Sequence, residues 1–445
     1  MRFYLLSLGC PKNTVESEGM RELLHQAGYQ AAEHPEEADI LIVNTCGFID
    51  LAKEESLTAL RELGDTKGPD QYLIAAGCMA ERYDLEMPQM VPALDGIIGT
   101  RRWAEIVTLV ESLARDQKPG VVYQLPQPAP PHPLFHPLPR HCPGMATAYV
   151  KIAEGCSASC AFCTIPQIKG LFRSKPKEAI LIEVQELSQQ GIKEIILIAQ
   201  DTTAYGRDRP KENALPSLIS DIVKAVPDLP WLRIMYTYPQ HITPHLIETM
   251  ALNPQVCNYL DLPLQHAHPQ VLRRMNRPHD TGQIHSLIAR LREAIPDIAL
   301  RTSFIVGYPG ETEEEFHTLL EFIDQIAFDR VGIFTYSQEE GTKAAELRDQ
   351  VPQQIKDERY REAMALQQGI SLRKNRRFIG RELQVLIEGV GDGISMGRSY
   401  RDAPEVDGMV LVQDELPVNE FAPVYITEAL DYDLVGYAKG RSTPR

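Results

Sequence analysis

The amino-acid sequence predicts an α/β protein with three folded parts. These are an N-terminal parallel α/β sandwich domain, an open six-stranded (β/α)6 part-barrel, and a small all-β barrel of the OB type. Two stretches of alternating strand-like and helix-like segments predict the first two parts, and short strands separated by turns predict the third. We expect domains over residues 1–120, 144–372 and 373–445, with a linker over 121–143.

The composition is that of an ordinary globular protein, with 445 residues, 43% hydrophobic and 24% charged. No run of about 18 apolar residues occurs, so we expect no membrane span and no membrane partner. The first residues lack the basic flank and cleavage site of a signal peptide, and we therefore expect a cytoplasmic protein. The formal charge of −16 disfavours nucleic acid as the main substrate and favours basic partners.

The N-terminal domain is predicted from short apolar strands that alternate with helices. Such alternation is typical of a parallel sheet covered on both faces. The strands are predicted at 3–8, 40–44, 72–76 and 96–99, and the helices at 17–27 and 51–63. Eight prolines then fall within the 18 residues from Pro126 to Pro143, which favours an extended linker because proline lacks the amide donor.

The part-barrel is predicted from six repeats of strand and helix, too few for a closed eight-fold barrel. The strands are predicted at 148–153, 194–199, 232–238, 259–264, 300–306 and 331–336, and the helices at 176–189, 216–225, 245–252, 283–294 and 313–326. Thr312 and Glu315 form a predicted capping box for the last of these helices. A longer helix over 353–369 leads to the C-terminal part.

The C-terminal part is predicted as a small barrel of short strands at 383–387, 409–412 and 425–429. Glycine and aspartate fill its connections, and the glycine spacing over Gly391–Gly397 predicts a hairpin because no helix follows it. Residues 381–445 hold 12 acidic and 6 basic side chains. This balance disfavours an RNA-binding role.

Three cysteines within eight residues, Cys156, Cys160 and Cys163, follow the first strand of the predicted part-barrel. Three thiolates at this spacing can wrap one metal centre, and iron–sulfur clusters are held by thiolates, with four for a cubane. No fourth cysteine lies nearby, so one iron would stay open to an external ligand. The alternative is a zinc site, which usually uses paired spacings and four protein ligands.

A second set of cysteines, Cys10, Cys46 and Cys78, stands just past three apolar strands. The carboxyl ends of parallel strands share one edge of a sheet, so the three thiols are predicted to converge there. The alternative, three separate cysteines in the core, is equally compatible with the spacing alone. We interpret the remaining two, Cys142 and Cys257, as structural.

Other segments carry weaker signals. Gly307–Glu311 follows the fifth barrel strand, where a cofactor-binding loop belongs, but it is also compatible with a simple turn. Gln200 and Asp201 end the second strand at the same face, and the alternative for them is a helix cap. The two histidines of Pro263–His268 are interpreted as structural.

With these residues in hand, the sequence resembles the methylthiotransferases of the radical S-adenosylmethionine superfamily over nearly the whole chain. The likeness includes a C-terminal barrel of the TRAM type. It is greatest to the RimO branch, which modifies an aspartate of small-subunit ribosomal protein twelve; tRNA-modifying relatives usually carry Tyr-Gly-Cys-Gln-Met-Asn near the start. The stretches that resemble this branch are Ser7-Leu-Gly-Cys-Pro-Lys-Asn13, Gln200-Asp-Thr-Thr-Ala-Tyr-Gly206 and Gly397-Arg-Ser-Tyr-Arg-Asp-Ala-Pro-Glu-Val-Asp-Gly408.

The resemblance implies two [4Fe-4S] clusters, one at Cys156, Cys160 and Cys163 and an auxiliary one at Cys10, Cys46 and Cys78. It implies that S-adenosyl-L-methionine is cleaved to a radical that abstracts hydrogen from the substrate carbon, which then takes sulfur from the auxiliary cluster. Radical chemistry suits a C–H bond that no side-chain base can deprotonate. The cofactor contacts implied are Phe162, Gln200, Asp201, Ile305, Gly307, Gly310 and Glu311.

The partners implied are ribosomal protein twelve or the small subunit, and an electron donor such as flavodoxin or ferredoxin. Two other functions compete with this one. A tRNA methylthiotransferase would share the chemistry, but the acidic C-terminal part disfavours it. A non-catalytic iron–sulfur protein that binds ribosomes would not cleave S-adenosylmethionine.

Overall fold

The computed structural model describes residues 1–116, 122–124, 140–142, 144–209 and 214–439. Most of the proline-rich segment predicted as a linker therefore lies outside the described residues. No helix in the described ranges is both long and apolar enough to cross a bilayer.

The N-terminal domain is a six-stranded, wholly parallel sheet. Its strands are β1 (Arg2–Ser7), β2 (Gln30–Ala31), β3 (Ile40–Thr45), β4 (Tyr72–Gly77), β5 (Gly96–Gly99) and β6 (Val122–Gln124). They lie in the order β2-β1-β3-β4-β5-β6. Its helices are α1 (Pro11–Gln26), α2 (Asp50–Thr66), α3 (Cys78–Arg82), α4 (Met87–Met90) and α5 (Ile106–Asp116).

Alternate strand residues of this sheet pack against helices on opposite faces. Leu41 and Val43 contribute to a core with α2, α3 and α4. Ile40 and Ile42 contribute to a second core with α1 and α5. This is the two-faced burial that a parallel sheet requires, and it confirms the predicted sandwich.

The helix α1 begins at Pro11, directly after Cys10, and not at Ser17 as the sequence pattern predicts. Proline suits the first turn of a helix because its missing N–H would have no partner there. Cys10 thus stands at the N-cap position, which fixes its place at the sheet edge.

The part-barrel is built from two groups of three parallel strands, β7-β10-β11 and β12-β13-β14. A single bridge between Leu232 and Val256 links the groups, and no ladder joins β7 to β14 in the described chain. The six strands are β7 (Thr147–Lys151), β10 (Glu194–Ile198), β11 (Trp231–Ile234), β12 (Tyr259–Asp261), β13 (Ala299–Val306) and β14 (Arg330–Thr335). Two further short strands, β8 (Ala153–Glu154) and β9 (Arg173–Ser174), form a separate antiparallel pair. The open six-stranded architecture is as predicted.

Eight helices of the described chain belong to the part-barrel, and the longer ones cover its outer face. They are α6 (Ile165–Lys169), α7 (Lys177–Gln189), α8 (Ala214–Ala225), α9 (Pro244–Leu252), α10 (Pro269–Arg274), α11 (Thr281–Ala294), α12 (Glu313–Ile326) and α13 (Gln353–Asn375). The capping box of Thr312 and Glu315 is present at the start of α12. The predicted last helix is longer than expected, since α13 continues through the basic segment to Asn375.

The third strand of the part-barrel ends earlier than predicted. The ladder stops at Ile234, and residues up to Tyr238 leave it. The reason is the backbone of Tyr236, whose φ of 60° lies in the left-handed region. A strand cannot continue through that conformation.

The C-terminal part is a closed barrel of five strands. They are β15 (Glu382–Gly391), β16 (Ile394–Arg398), β17 (Val410–Val412), β18 (Phe421–Ala429) and β19 (Leu434–Ala438). The predicted hairpin is confirmed: Asp392 and Gly393, both with positive φ, join β15 to β16.

The C-terminal barrel closes the end of the part-barrel at which the strands begin. Arg398 donates to Glu194, the first residue of β10, at 2.6 Å, and Arg330, the first residue of β14, donates to Asp402 at 2.6 Å. Inside the lumen, Val15 of α1 and Leu386 of β15 share one buried cluster. The opposite end, where the strands finish, is left for the cysteine loops.

Candidate iron–sulfur and substrate site

Cys156, Cys160 and Cys163 lie on one loop that leaves β8 and ends at α6. The loop is held from both sides: Cys156 N–H donates to the carbonyl of Gly170 at 3.0 Å, and Ala161 N–H donates to the carbonyl of Met275 at 2.9 Å. All three thiols are partly accessible and unpaired. The loop therefore presents three free sulfur donors at the carboxyl end of the first strand.

Neighbouring thiols raise the pKa values of Cys156 and Cys163. Burial raises the pKa of Cys163 to about 12, and the neighbouring Cys160 and Cys156 add to that shift. Burial also raises the pKa of Cys156, again with a contribution from Cys160. Three sulfurs this close, each disfavouring charge on the next, suit a cationic centre that takes all three as thiolates.

Arg277 supplies positive charge beside this loop. Its guanidinium donates to Sγ of Cys160 at 3.8 Å and to the carbonyl of Pro263 at 2.5 Å, and it lies 4.2 Å from the centre of the Tyr238 ring. Hydrogen bonds to sulfur and nearby charge are the means by which a protein tunes a cluster. Nothing in the sequence pattern pointed to Arg277.

The structure brings Cys10, Cys46 and Cys78 together at the carboxyl edge of the N-terminal sheet. Asn13 ties the three strand ends: its side-chain amide donates to the carbonyls of Leu8 (2.9 Å) and Thr45 (3.0 Å), and its Oδ1 accepts from Sγ of Cys78 at 3.6 Å. One asparagine thus holds together the ends of the three strands that the cysteines follow, while a shared metal centre stays a prediction.

Gly9 permits the closest approach within this trio. A Cβ on Gly9 would lie 2.7 Å from Cβ and 3.1 Å from Sγ of Cys46, and the φ of Gly9 is 91°. Burial raises the pKa of Cys78, and Cys10 and Cys46 are among the groups that raise it further. The thiols of Cys10 and Cys46 thus lie within electrostatic range of Cys78.

Lys169, at the end of α6, reaches from the first cysteine loop to the second trio. Its ammonium lies 2.5 Å from Oε1 of Glu16 on α1 and is the nearby positive charge that most opposes the raised pKa of Cys78. Lys151 of β7 joins the same carboxylate at 2.7 Å and pairs with Glu154 at 2.5 Å. Two buried lysines and two buried glutamates thus bind the N-terminal domain to the part-barrel.

The segment from Tyr236 to Tyr238 also connects the two trios. Burial raises the pKa of Tyr236 most, and Cys10 is the next largest cause of that shift. Two residues on, Cys160 and Cys156 act on Tyr238 in the same direction after burial. The two sets of thiols therefore flank one short piece of backbone at the carboxyl ends of the strands.

Lys12 lies in this space. Its side chain is only 6% exposed, and its Nζ lies 2.8 Å from the centre of the Tyr236 ring. Lys12 belongs to the Ser7–Asn13 stretch that resembles the RimO branch, but its contact with Tyr236 could not be predicted from the sequence.

Two of the residues implied as cofactor contacts are Gln200 and Asp201. Asp201 caps the short 3-10 helix Thr202–Ala204 by accepting from Ala204 N–H at 3.1 Å, so the helix-cap interpretation is confirmed. Its other oxygen lies 2.7 Å from Nδ1 of His241. Oε1 of Gln200 is buried without a protein partner among the described residues.

The Gly307–Glu311 segment is a turn closed by its own glutamate. Oε2 of Glu311 accepts from Tyr308 N–H at 2.9 Å, while Gly307 and Gly310 adopt φ values of 71° and 73°. Phe162 and Ile305 pack beside this turn on a cluster that includes Tyr308. The turn interpretation is thus confirmed, and a role of these residues in cofactor binding stays a prediction.

The donor sets fit iron–sulfur clusters by their chemistry. Each trio offers three free thiols with no carboxylate or imidazole among them, which is the ligand set of such clusters. No group of three His, Cys, Asp or Glu side chains in the described ranges is arranged around a single ion. A cubane does not require that arrangement, because each thiolate binds a different iron.

The other two cysteines lie in apolar surroundings. Cys142 belongs to the core beneath the outer helices, and its N–H donates to Oε1 of Gln190 at 2.9 Å. Cys257 lies in the lumen cluster with Tyr259 and Trp231. Burial raises the pKa of both thiols, as expected for structural cysteines.

Three family profiles match the chain in the order of its domains. One described as "Uncharacterized protein family UPF0004" matches residues 2–99, the Radical SAM superfamily matches residues 150–323, and the TRAM domain matches residues 379–438. The first range contains one cysteine trio and the second contains the other.

Full-length relatives carry one shared name. A protein of Roseiflexus sp. (strain RS-1) named "Ribosomal protein uS12 methylthiotransferase RimO" is 47% identical over 458 residues, covering 98% of this chain and 97% of the relative. The protein of the same name from Chloroflexus aurantiacus is 49% identical over 457 residues, covering 98% of this chain and all of the relative. A third, from Desulforamulus reducens, is 46% identical over 446 residues, covering 97% of this chain and 98% of the relative.

Solved structures share the fold at low identity. The radical S-adenosylmethionine methyltransferase TsrM from Kitasatospora setae, with tryptophan and a SAM analogue bound, superposes with a TM-score of 0.56 at 13% identity, covering 83% of this chain and 89% of that one. The cobalamin-dependent S-adenosylmethionine radical enzyme OxsB superposes with a TM-score of 0.51 at 10% identity, covering 82% of this chain and 56% of the OxsB chain.

Proposed function

We infer that this chain, which belongs to the RimO family of ribosomal protein uS12 methylthiotransferases, transfers a methylthio group to the β-carbon of an aspartate of uS12. The family follows from relatives that are 46–49% identical over almost the full length. The radical-SAM fold of the central domain agrees with an enzyme of this class.

We propose that the chain holds two [4Fe-4S] clusters, one on each cysteine trio, together with S-adenosyl-L-methionine. When bound, they supply the radical that removes an unactivated hydrogen and the sulfur that replaces it, chemistry that side chains cannot perform. Cys10, Cys46 and Cys78 would hold one cluster and Cys156, Cys160 and Cys163 the other, so that each would have one iron without a protein ligand. Residues of the Gly307–Glu311 turn, with Phe162, Ile305, Gln200 and Asp201, are the proposed contacts of S-adenosylmethionine.

The observation that carries this proposal is the shared neighbourhood of the two trios. Lys169 ends the helix that follows Cys163 and lies within electrostatic range of Cys78 and Cys46. Tyr236 lies near Cys10, and Tyr238 lies near Cys160. Thiols on unrelated surfaces could not serve one substrate carbon, since a reaction between bound groups requires them to be held in mutual reach.

The chain's own residues enclose this space and set its charge. The ion pairs of Glu16 and Glu154 with Lys151 and Lys169 are almost fully buried and close the side between the domains against water. Such exclusion of water strengthens every electrostatic interaction inside. No ladder joins β7 to β14 in the described ranges, and such an open part-barrel suits a substrate that is a loop of a large partner.

The partner proposed is uS12, free or within the small ribosomal subunit, and the compartment proposed is therefore the cytoplasm. The 12 acidic and 6 basic residues of the C-terminal part suit a basic protein partner. An electron donor such as flavodoxin or ferredoxin would supply the reducing equivalents.

The test is an anaerobic assay with reconstituted, reduced protein, S-adenosylmethionine and purified uS12, followed by mass spectrometry. We expect release of 5′-deoxyadenosine and a methylthio mass on an aspartate of uS12. A Cys156→Ala variant is the control and is expected to do neither. Release of 5′-deoxyadenosine no greater than in this control would overturn the proposed activity. A methylthio mass on tRNA in place of uS12 would overturn the proposed substrate.

A further inference from the structure

Lys12 is a buried ammonium without a counter-ion of its own. Within the described chain, no ion pair joins its Nζ to a carboxylate within 4.0 Å. Burial lowers the pKa of Lys12 to about 8, and Cys10 and Asp261 are the groups that most oppose this shift. Buried charges are normally paired because an unpaired one loses its hydration without compensation. An anion that reached the Lys12 ammonium would therefore stabilise it.

Other buried lysines of this chain have an ion-pair or hydrogen-bond partner. Lys151 lies 2.7 Å from Glu16, and Lys169 lies 2.5 Å from the same carboxylate. Lys356, in the part-barrel, donates to the carbonyl of Tyr336 at 2.8 Å. Lys12 differs from all three, although at 6% exposure it is buried as well.

Tyr236 holds the Lys12 side chain in place without neutralising it. The ammonium lies over the face of the ring at 2.8 Å from its centre, a contact that orients a cation and leaves its charge intact. The ring reaches this position because Tyr236 has a φ of 60°, which a bulky residue adopts only when its surroundings enforce it. The enforcing contacts are Tyr236 N–H to Oδ2 of Asp261 at 3.0 Å and Thr202 N–H to the Tyr236 carbonyl at 2.9 Å.

Asp261, the carboxylate that most raises the pKa of Lys12, is already engaged. Besides the Tyr236 amide, Asp261 accepts from the guanidinium of Arg301 at 2.8 Å and is fully buried. The first turn of α1, which contains Lys12, holds no acidic residue. The N-terminal end of a helix adds further positive potential at this point.

Lys12 lies between the two cysteine trios, where the side chain of the substrate would react. It stands two residues after Cys10 of one trio, and the ring beneath it belongs to the segment that leads to Tyr238 beside Cys160 of the other. A side chain modified between the two trios must enter this space. An aspartate brings a carboxylate within one bond of the carbon that is modified.

We propose that Lys12 is the substrate-recognition residue of this enzyme, forming an ion pair with the carboxylate of the acidic side chain that is modified. The proposal rests on the function proposed above and names the group on the chain that reads the substrate. The Tyr236 ring positions the ammonium, and the incoming carboxylate supplies the missing anion. A neutral amide of the same shape would leave the ammonium unpaired, so aspartate is favoured over asparagine.

The experiment measures binding, without turnover. Anaerobic fluorescence anisotropy is recorded for the reconstituted enzyme with a labelled peptide copied from the uS12 loop that carries the modified aspartate, and with the same peptide carrying asparagine. The variants are Lys12→Met, which removes only the charge, and Lys53→Met, the matched control. Lys53 is in the same domain and also lies over a tyrosine ring, 4.3 Å from the centre of Tyr83. Iron content and Tm are measured for each preparation.

The expected result is that wild type and Lys53→Met bind the aspartate peptide about 10- to 100-fold more tightly than the asparagine peptide, the range for a charged hydrogen bond. Lys12→Met should bind both peptides alike, with unchanged iron content and a Tm at least as high as wild type, because an unpaired charge has been removed. Aspartate preference retained in Lys12→Met, or a change confined to cluster content, would overturn the role of Lys12 and leave the proposed function standing. Wild type that binds neither peptide would overturn both.

Discussion

The Nζ of Lys169 lies 2.5 Å from Oε1 of Glu16, and neither side chain is more than 2% exposed. Glu16 belongs to the helix that begins at Cys10, and Lys169 ends the helix that follows Cys163. This one contact therefore joins the segments that carry the two cysteine trios. It brings the two cysteine-bearing segments together as walls of the same space.

The first prediction concerns this contact. Glu16→Gln leaves Lys151 and Lys169 buried beside a neutral amide, and breaking a buried ion pair on one side costs about 3–5 kcal/mol. We expect the free energy of unfolding, measured by guanidinium titration of the apoprotein, to fall by that amount. Glu22→Gln on the solvent side of the same helix is the control and should change it by less than about 0.5 kcal/mol. Equal effects of the two variants would contradict the assignment.

The second prediction concerns Gly9. In Gly9→Ala the new methyl group would lie 2.7 Å from Cβ of Cys46, too close for both to keep their places. We expect iron in the reconstituted protein to fall from about eight to about four per chain, because only the second trio is disturbed. Gly28→Ala is a close control, since Gly28 has nearly the same φ (88°) but nothing within 4 Å of the added Cβ. If Gly28→Ala also lost iron, backbone strain and not the contact with Cys46 would explain the effect.

The third prediction concerns Arg277. Replacing it with Met removes the positive charge that donates to Sγ of Cys160, and a reduced cluster is then less well stabilised. We expect the midpoint potential of the cluster on this trio to become more negative in an anaerobic titration followed by electron paramagnetic resonance. Arg273→Met, in the same segment but exposed, should leave the potential unchanged. A shift of equal size in both variants would rule out the contact as the cause.

The fourth prediction concerns pH and Glu194. Burial alone would raise the pKa of this carboxyl, but Arg233 and Arg398, each 2.6 Å away, hold the pKa below its ordinary value of 4.5. A lowered pKa in the folded state contributes stability above pH 4.5 that is lost as the pH falls through the folded-state value. Glu194→Gln should thus lower Tm at pH 7, and its deficit relative to wild type should shrink below pH 4.5. The exposed Glu428→Gln should follow wild type at every pH; a pH-independent deficit in Glu194→Gln would contradict the linkage.

Much of the architecture was predictable because it depends on local pattern. Apolar strands followed directly by cysteine place Cys10, Cys46 and Cys78 at one sheet edge, and the compact spacing of Cys156, Cys160 and Cys163 predicts a shared centre. The capping box at Thr312 and the turn at Gly393 also follow from residues a few positions apart. Five strands close the last barrel where three were predicted. The two that were missed, Ile394–Arg398 and Leu434–Ala438, are only five residues long and carry little pattern of their own.

The charged lining of the site was not predictable. Lys169 and Glu16 are 153 residues apart, and nothing in the local sequence selects one for the other. Tyr236 lies in a run that reads as strand, yet its amide is captured by Asp261 and the chain turns. The role proposed for Lys12 depends on that turn, and therefore on contacts between segments that are distant in sequence.

The central claim is that two independent clusters, each on three cysteines, face one space. Iron and acid-labile sulfide in anaerobically reconstituted protein test it most directly, with wild type compared with a Cys156/Cys160/Cys163→Ala triple variant and a Cys10/Cys46/Cys78→Ala triple variant. We expect about eight irons per chain in wild type and about four in each triple variant. About four irons in wild type, with none left in one triple variant and no loss in the other, would contradict the claim.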